Sequence, residues 1–188
     1  MRQYRFKEQL DLSQSADTRR RWDAVYRRFW PGVTEIKEVH NLDLQRHGVD
    51  VIIKRGLMPA LRIEEKSTAK DSDDLFVELW SVWRGEDHPG NRKGWSVRDD
   101  MLTDWLAYGW KNHCLLIPWS MYRAGVRRGL DASRGAWRAR YPACDVPNQG
   151  YKTRGLWVPR RELLTQAVRS LTGRWAKEEV VDDGALTL

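Results

Sequence analysis

Two short apolar runs flanking a turn constrain this chain more than any other feature. They are Gly48-Val49-Asp50-Val51-Ile52-Ile53 and Leu61-Arg62-Ile63-Glu64-Glu65-Lys66. Side chains on a strand alternate between two faces. Val49, Val51 and Ile53 therefore share one face of the first run, and Glu64 and Lys66 share a face of the second, with Glu65 opposite. The segment Lys54-Arg55-Gly56-Leu57-Met58-Pro59 supplies the Gly and Pro of a connecting turn. Folded as a hairpin, the two runs bring Asp50 near Glu64 and Lys66. The plainer alternative is a half-exposed hairpin with ion-paired charges facing water. Asp50 argues against it, because it interrupts a run that is otherwise valine and isoleucine.

Two carboxylates a few ångströms apart repel unless a cation lies between them. A hard ion such as Mg²⁺ (or Mn²⁺) takes few carboxylates, several waters and a phosphate oxygen. A neighbouring lysine can orient or deprotonate a water, or neutralise charge developing on phosphorus. Asp50, Glu64 and Lys66 are thus the candidate catalytic set, with Asp50 and Glu64 as metal ligands. The pattern of an Asp, a spacer and Glu-x-Lys resembles the PD-(D/E)XK nuclease superfamily. Asp50 matches its first acid, Glu64 its second acid and Lys66 its lysine, while Val49 stands where the motif has proline.

A wider resemblance, to a phage- or prophage-encoded group of similar length, covers about residues 20 to 175. It is carried by Trp22-Asp23 with Tyr26 and Phe29-Trp30-Pro31, Gln45 with Gly48-Val49-Asp50, Ile63-Glu64-Glu65-Lys66, and Val77-Glu78-Leu79-Trp80-Ser81. Gly94-Trp95, Asp104-Trp105-Leu106-Ala107-Tyr108 and Asn148-Gln149-Gly150-Tyr151 complete it. The resemblance implies a restriction-endonuclease-like core, endonucleolytic rather than exonucleolytic cleavage, DNA rather than RNA as partner, 5′-phosphate products, and the host cytoplasm as location. It also implies a further acid from the helix before the hairpin, which is Asp23. The competing reading of Asp23 is a surface acid paired with Arg19 or Arg27.

The chain's 188 residues suit one domain, taken as 1–176 with an acidic, flexible tail at 177–188. Its net charge of +7 favours a polyanionic partner. Eleven tryptophans are unusual for a chain of this size; most are expected in the core or its rim, and the others could stack on bases or permit a homodimer interface. Cys114 and Cys144 make neither a disulfide framework nor a zinc site, and Cys114 lies in an apolar run. Met1-Arg2-Gln3-Tyr4-Arg5 offers no apolar signal segment, and no run approaches the ~20 apolar residues of a membrane span.

Periodicity predicts a helix over 15–30, capped by Ser15 or Asp17, with Trp22, Val25, Tyr26 and Phe29 as its buried stripe. A short strand follows within 34–44, then the hairpin, a loop over 71–74 and a third strand over 75–83. Residues 98–110 read as a helix, 113–117 as a strand, 120–130 as a helix and 143–150 as a loop. A strand over 151–158 and a helix over 160–175 complete the order. The expected class is α/β, with a mixed central sheet flanked by helices. Glu78, an acid amid apolar residues, is a further candidate metal ligand. Gln45 precedes Asp50 and is placed to touch phosphate, as is His47. For nucleic-acid contact the basic and aromatic loops supply Arg92 and Lys93, then Tyr151, Lys152 and Arg154. A rival function keeps the fold without cleavage, as a nucleic-acid- or protein-binding inhibitory phage protein.

Overall fold

The computed structural model describes residues 16–68, 72–148 and 150–182. Helix α1 (Ala16–Phe29) leads into strand β1 (Glu35–Glu38), the short helix α2 (Leu42–Arg46), β2 (Val51–Arg55) and β3 (Met58–Ser67). Strands β4 (Asp74–Trp83) and β5 (Arg92–Lys93) follow, then a 3-10 turn (Trp95–Val97), β6 (Trp105–Gly109) and β7 (Cys114–Pro118). The chain closes with α3 (Trp119–Leu130), α4 (Trp137–Arg140), β8 (Ala143–Asn148), β9 (Tyr151–Pro159) and α5 (Arg160–Asp182). Among these residues no helix is long and apolar enough to cross a membrane.

The protein is mixed α/β. Five strands form one mixed sheet in the order β1-β2-β3-β6-β7, in which only the β3–β6 pair is parallel. A four-stranded antiparallel sheet runs β5-β4-β9-β8. Helix α1 covers one face of the five-stranded sheet, setting Trp22, Tyr26 and Trp30 on Val51, Ile53, Ile63 and Ala107. Each such large apolar side chain contributes about 1.5–3 kcal/mol when fully buried. The other face packs Leu106, Tyr108 and Ile117 against Leu75, Val77, Leu156 and Val158 of the second sheet, with Tyr122 of α3 and Leu163 of α5 closing the core. In the β3–β6 register Glu64 lies beside Leu106 and Lys66 beside Tyr108. Both charges therefore face the second sheet, whereas Glu65, beside Ala107, faces α1.

Several expectations change. Residues 98–110 are not a helix: 98–104 are irregular and 105–109 form β6. Leu106, Ala107 and Tyr108 are all buried, and a strand covered on both faces shows a continuous apolar run that mimics helical spacing. The segment expected as a loop over 143–150 contains β8, an edge strand, where Pro147 need not donate a ladder hydrogen bond. Within 34–44 the strand stops at Glu38 and α2 begins, its cap supplied by the Asn41 side chain accepting from the Asp43 and Leu44 N–H groups. Phe29 is half exposed, and Trp30 takes its place in the stripe. Cys114 is exposed despite the apolar run it begins. Helix α5 continues through 177–182, while 183–188, like Ser15, Asp71 and Gln149, lie outside the described residues.

Candidate active site

The β2–β3 hairpin forms, with Val51 opposite Ile63 and Ile53 opposite Leu61. One step further out, the Asp50 N–H donates to the Ile63 carbonyl at 2.8 Å. Asp50 Oδ2 accepts the Glu65 N–H at 2.9 Å, which pins the carboxylate across the hairpin. Lys66 Nζ bonds Glu64 Oε1 and stands 3.9 Å from Asp50 Oδ2. The Glu64 side chain is 4% exposed, whereas Lys66 is 34% and Asp50 31% exposed. The cluster thus has a buried floor and an open mouth.

Glu64 Oε2 is buried and has no hydrogen-bond partner. It lies against Gly48, where an added Cβ would stand 3.0 Å from it and 2.1 Å from Met101 Cε. Gly48 also has φ +75°, so both conformation and space require glycine there. Burial pushes the Glu64 carboxyl up to about 7; the charges of Asp50 and Glu78 add to the rise and Lys66 opposes it. Burial works against the Lys66 charge, but Glu64, Asp50 and Glu78 outweigh it and hold the ammonium well above its ordinary value.

Glu78 on β4 shapes the wall. Its N–H donates to Ser96 Oγ at 2.9 Å, and its Oε1 accepts from the Ser81 hydroxyl and from the Trp95 N–H at 3.4 Å. A Cβ at Gly94 would meet the Glu78 carbonyl at 2.3 Å, so the turn is pressed onto β4. Trp95 is held with its ring centroid 5.5 Å from Lys66 Nζ, the geometry of a cation–π contact. Arg98 was not singled out in the sequence, because a helix start was expected there. Its guanidinium feels the charges of Glu64 and Glu78, pairs with Asp100 at 2.7 Å and donates to the Arg46 carbonyl at 2.6 Å. His47 lies beside this rim, its Nε2 3.7 Å from Asp100.

The hairpin thus brings Asp50, Glu64 and Lys66 together, with Glu78 close enough to act through its charge. Asp23 is not brought to them. Its carboxylate accepts from Arg19 Nε at 2.8 Å, and Arg19 bridges onward to Glu65 at 3.0 Å, on the α1 face of β3. Gln45 Nε2 donates to the Val39 carbonyl at 2.7 Å. Arg92 and Lys93 are exposed on β5; Tyr151, Lys152 and Arg154 lie on β9, with Arg154 bonded to Asp145 at 2.6 Å. A cavity of about 450 Å³ opens at the C-terminal ends of β3 and β6, between Trp22, Ser67, Gly109 and His113, and holds none of the expected site residues.

Among the described residues, no three His, Cys, Asp or Glu side chains converge as a metal cage. Such a cage would suit zinc. Mg²⁺ or Mn²⁺ needs only one or two carboxylates beside water and phosphate oxygens. Asp50 and Glu64 meet that need, and the unpartnered Glu64 Oε2 is an acceptor left over for a cation. No protein-family model matches the chain, nor does any curated protein or solved structure.

Proposed function

We propose that this protein is a metal-dependent nuclease that hydrolyses phosphodiester bonds, in DNA rather than RNA and endonucleolytically. The observation that carries the reading is the Glu64 carboxylate, whose buried Oε2 has no partner and whose Oε1 is bonded to a lysine, Lys66, that also stands 3.9 Å from Asp50. Asp50 and Glu64 are the residues that would hold Mg²⁺ or Mn²⁺. When bound, such an ion supplies Lewis-acid polarisation of a phosphoryl oxygen and a water of lowered pKa. Lys66, an ammonium at the open mouth, orients the incoming phosphate and neutralises charge growing on it. Trp95 keeps water from one side of that ammonium, which strengthens its field. Glu78 holds Trp95 in place. Asp23 serves α1 through Arg19 rather than the reaction. The likeness of Asp50, Glu64 and Lys66 to the PD-(D/E)XK pattern supports the same reading.

The test is cleavage of a panel of duplex, single-stranded and branched DNA and of RNA, with Mg²⁺, Mn²⁺ or EDTA. The wild-type protein cuts DNA with either ion and not with EDTA. Lys66→Ala loses at least about a hundredfold in rate per folded molecule, with circular dichroism showing that the protein still folds. A folded wild-type protein that cuts nothing with either ion, yet binds nucleic acid in a salt-sensitive way, would replace the nuclease with the binding protein.

A further inference from the structure

Beyond the hydrophobic core, the second sheet carries aromatic and cationic side chains in register. Cross-strand partners share a face. Trp80 is opposite Lys93 of β5 and Arg154 of β9, and Trp83 is opposite Lys152. The two indole rings lie 5.5 Å apart. The Arg154 guanidinium covers Trp83 at 4.4 Å from the ring centroid, its fork held by Asp145 at 2.6 and 3.2 Å. Lys152 reaches the same carboxylate at 3.5 Å.

Core packing explains only part of this surface. Trp80 leans on the core, but Trp83 belongs to neither core cluster and is only half buried. Arg92, Lys93 and Lys152 are exposed. The surface also adjoins the candidate active site, because Lys93 continues through Gly94 into Trp95, whose ring faces Lys66. Indole rings and an immobilised guanidinium plane stack on nucleobases, and the cations track the phosphates. A duplex hides its base faces and offers such a surface only its backbone.

We infer that Trp80, Trp83 and Arg154 form a stacking platform for an unpaired nucleic-acid strand, which Lys93 and Lys152 hold by its phosphates. The substrate is therefore single-stranded or frayed rather than intact duplex. The direction of the strand, from the platform past Trp95 to Lys66, rests on the nuclease reading; the binding does not.

The experiment measures fluorescence anisotropy of labelled oligo-dT, oligo-U and a hairpin duplex of matched length against the full chain, in EDTA so that nothing is cut. The platform predicts that the single strands bind at least about tenfold more tightly than the duplex. Comparing oligo-dT with oligo-U separates DNA from RNA. Trp83→Ala loses about tenfold for the single strands, and Trp83→Phe recovers most of it. Circular dichroism of each variant checks the fold. Equal binding of strand and duplex overturns the platform, as does Trp83→Ala with unchanged preference or Trp83→Phe that fails to rescue a folded protein. Because binding is read without metal, an absence of cleavage in the separate assay would sink the nuclease reading alone.

Discussion

Glu64 and Glu65 are neighbours on β3 and meet opposite surroundings. Glu65 turns toward α1, where it accepts the Tyr26 hydroxyl at 2.5 Å and pairs with Arg19 at 3.0 Å. Burial raises its carboxyl, and Arg19 and Tyr26 pull back. Its two oxygens have partners, and those partners tie helix to sheet. Glu64 turns the other way, keeps one buried oxygen unpartnered, and shares Lys66 with a second carboxylate. A buried polar atom without a partner costs free energy that folding alone does not recover. Two acids of the same type on the same strand thus separate into one whose partners tie helix to sheet and one that keeps an oxygen free, the oxygen that the proposed function gives to a cation.

The comparison can be broken from either side. The largest effect is expected on the α1 face. Glu65→Ala takes the acceptor from the Tyr26 hydroxyl and leaves Arg19 with Asp23 as its close partner; it should cost about 3 kcal/mol of stability, read by urea unfolding, with cleavage per folded molecule retained. Tyr26→Phe removes one hydrogen bond to a charged acceptor and should cost about 1.5–3 kcal/mol in the same assay. The Glu64 face is sharpened by pH. Only ionised Glu64 binds a cation, and its carboxyl is raised to about 7. Cleavage at limiting Mg²⁺ should therefore fall about fivefold from pH 7 to pH 6, and excess Mg²⁺ should move the midpoint to lower pH. A pH profile indifferent to metal concentration would detach Glu64 from the ion.

Much of this contrast is legible in the sequence. The strand period alone puts Glu64 with Lys66 and Glu65 opposite, and Gly56 gives the turn of the hairpin that adds Asp50, although the turn is only Gly56-Leu57 and Pro59 already lies in β3. What periodicity does not carry is which long-range partner each face meets. Asp23 sits on the helix where a further ligand is expected, yet Arg19, one turn earlier, captures it. The role of Gly48 is visible only once Met101 and Glu64 are seen to converge on it. Arg98 and Met101 reach the site because residues 98–104 form an irregular segment rather than a helix, whereas the apolar run of β6, buried on both faces, mimics helical spacing. Composition places Arg154 and Lys152 at nucleic acid; their alignment with Trp80 and Trp83 depends on strand pairing that no local pattern encodes.

The most direct measurement sets Glu64→Gln beside Glu65→Gln, following thermal unfolding and Mg²⁺-dependent cleavage of the same preparations. Lys66 is 34% exposed and can turn to water when Glu64 is neutralised, so Glu64→Gln should stay within about 1 kcal/mol of wild-type stability and lose cleavage. Glu65→Gln should melt markedly earlier and still cut when folded. The reverse pattern, with Glu64→Gln active and Glu65→Gln stable but inactive, would contradict the assignment of the two faces.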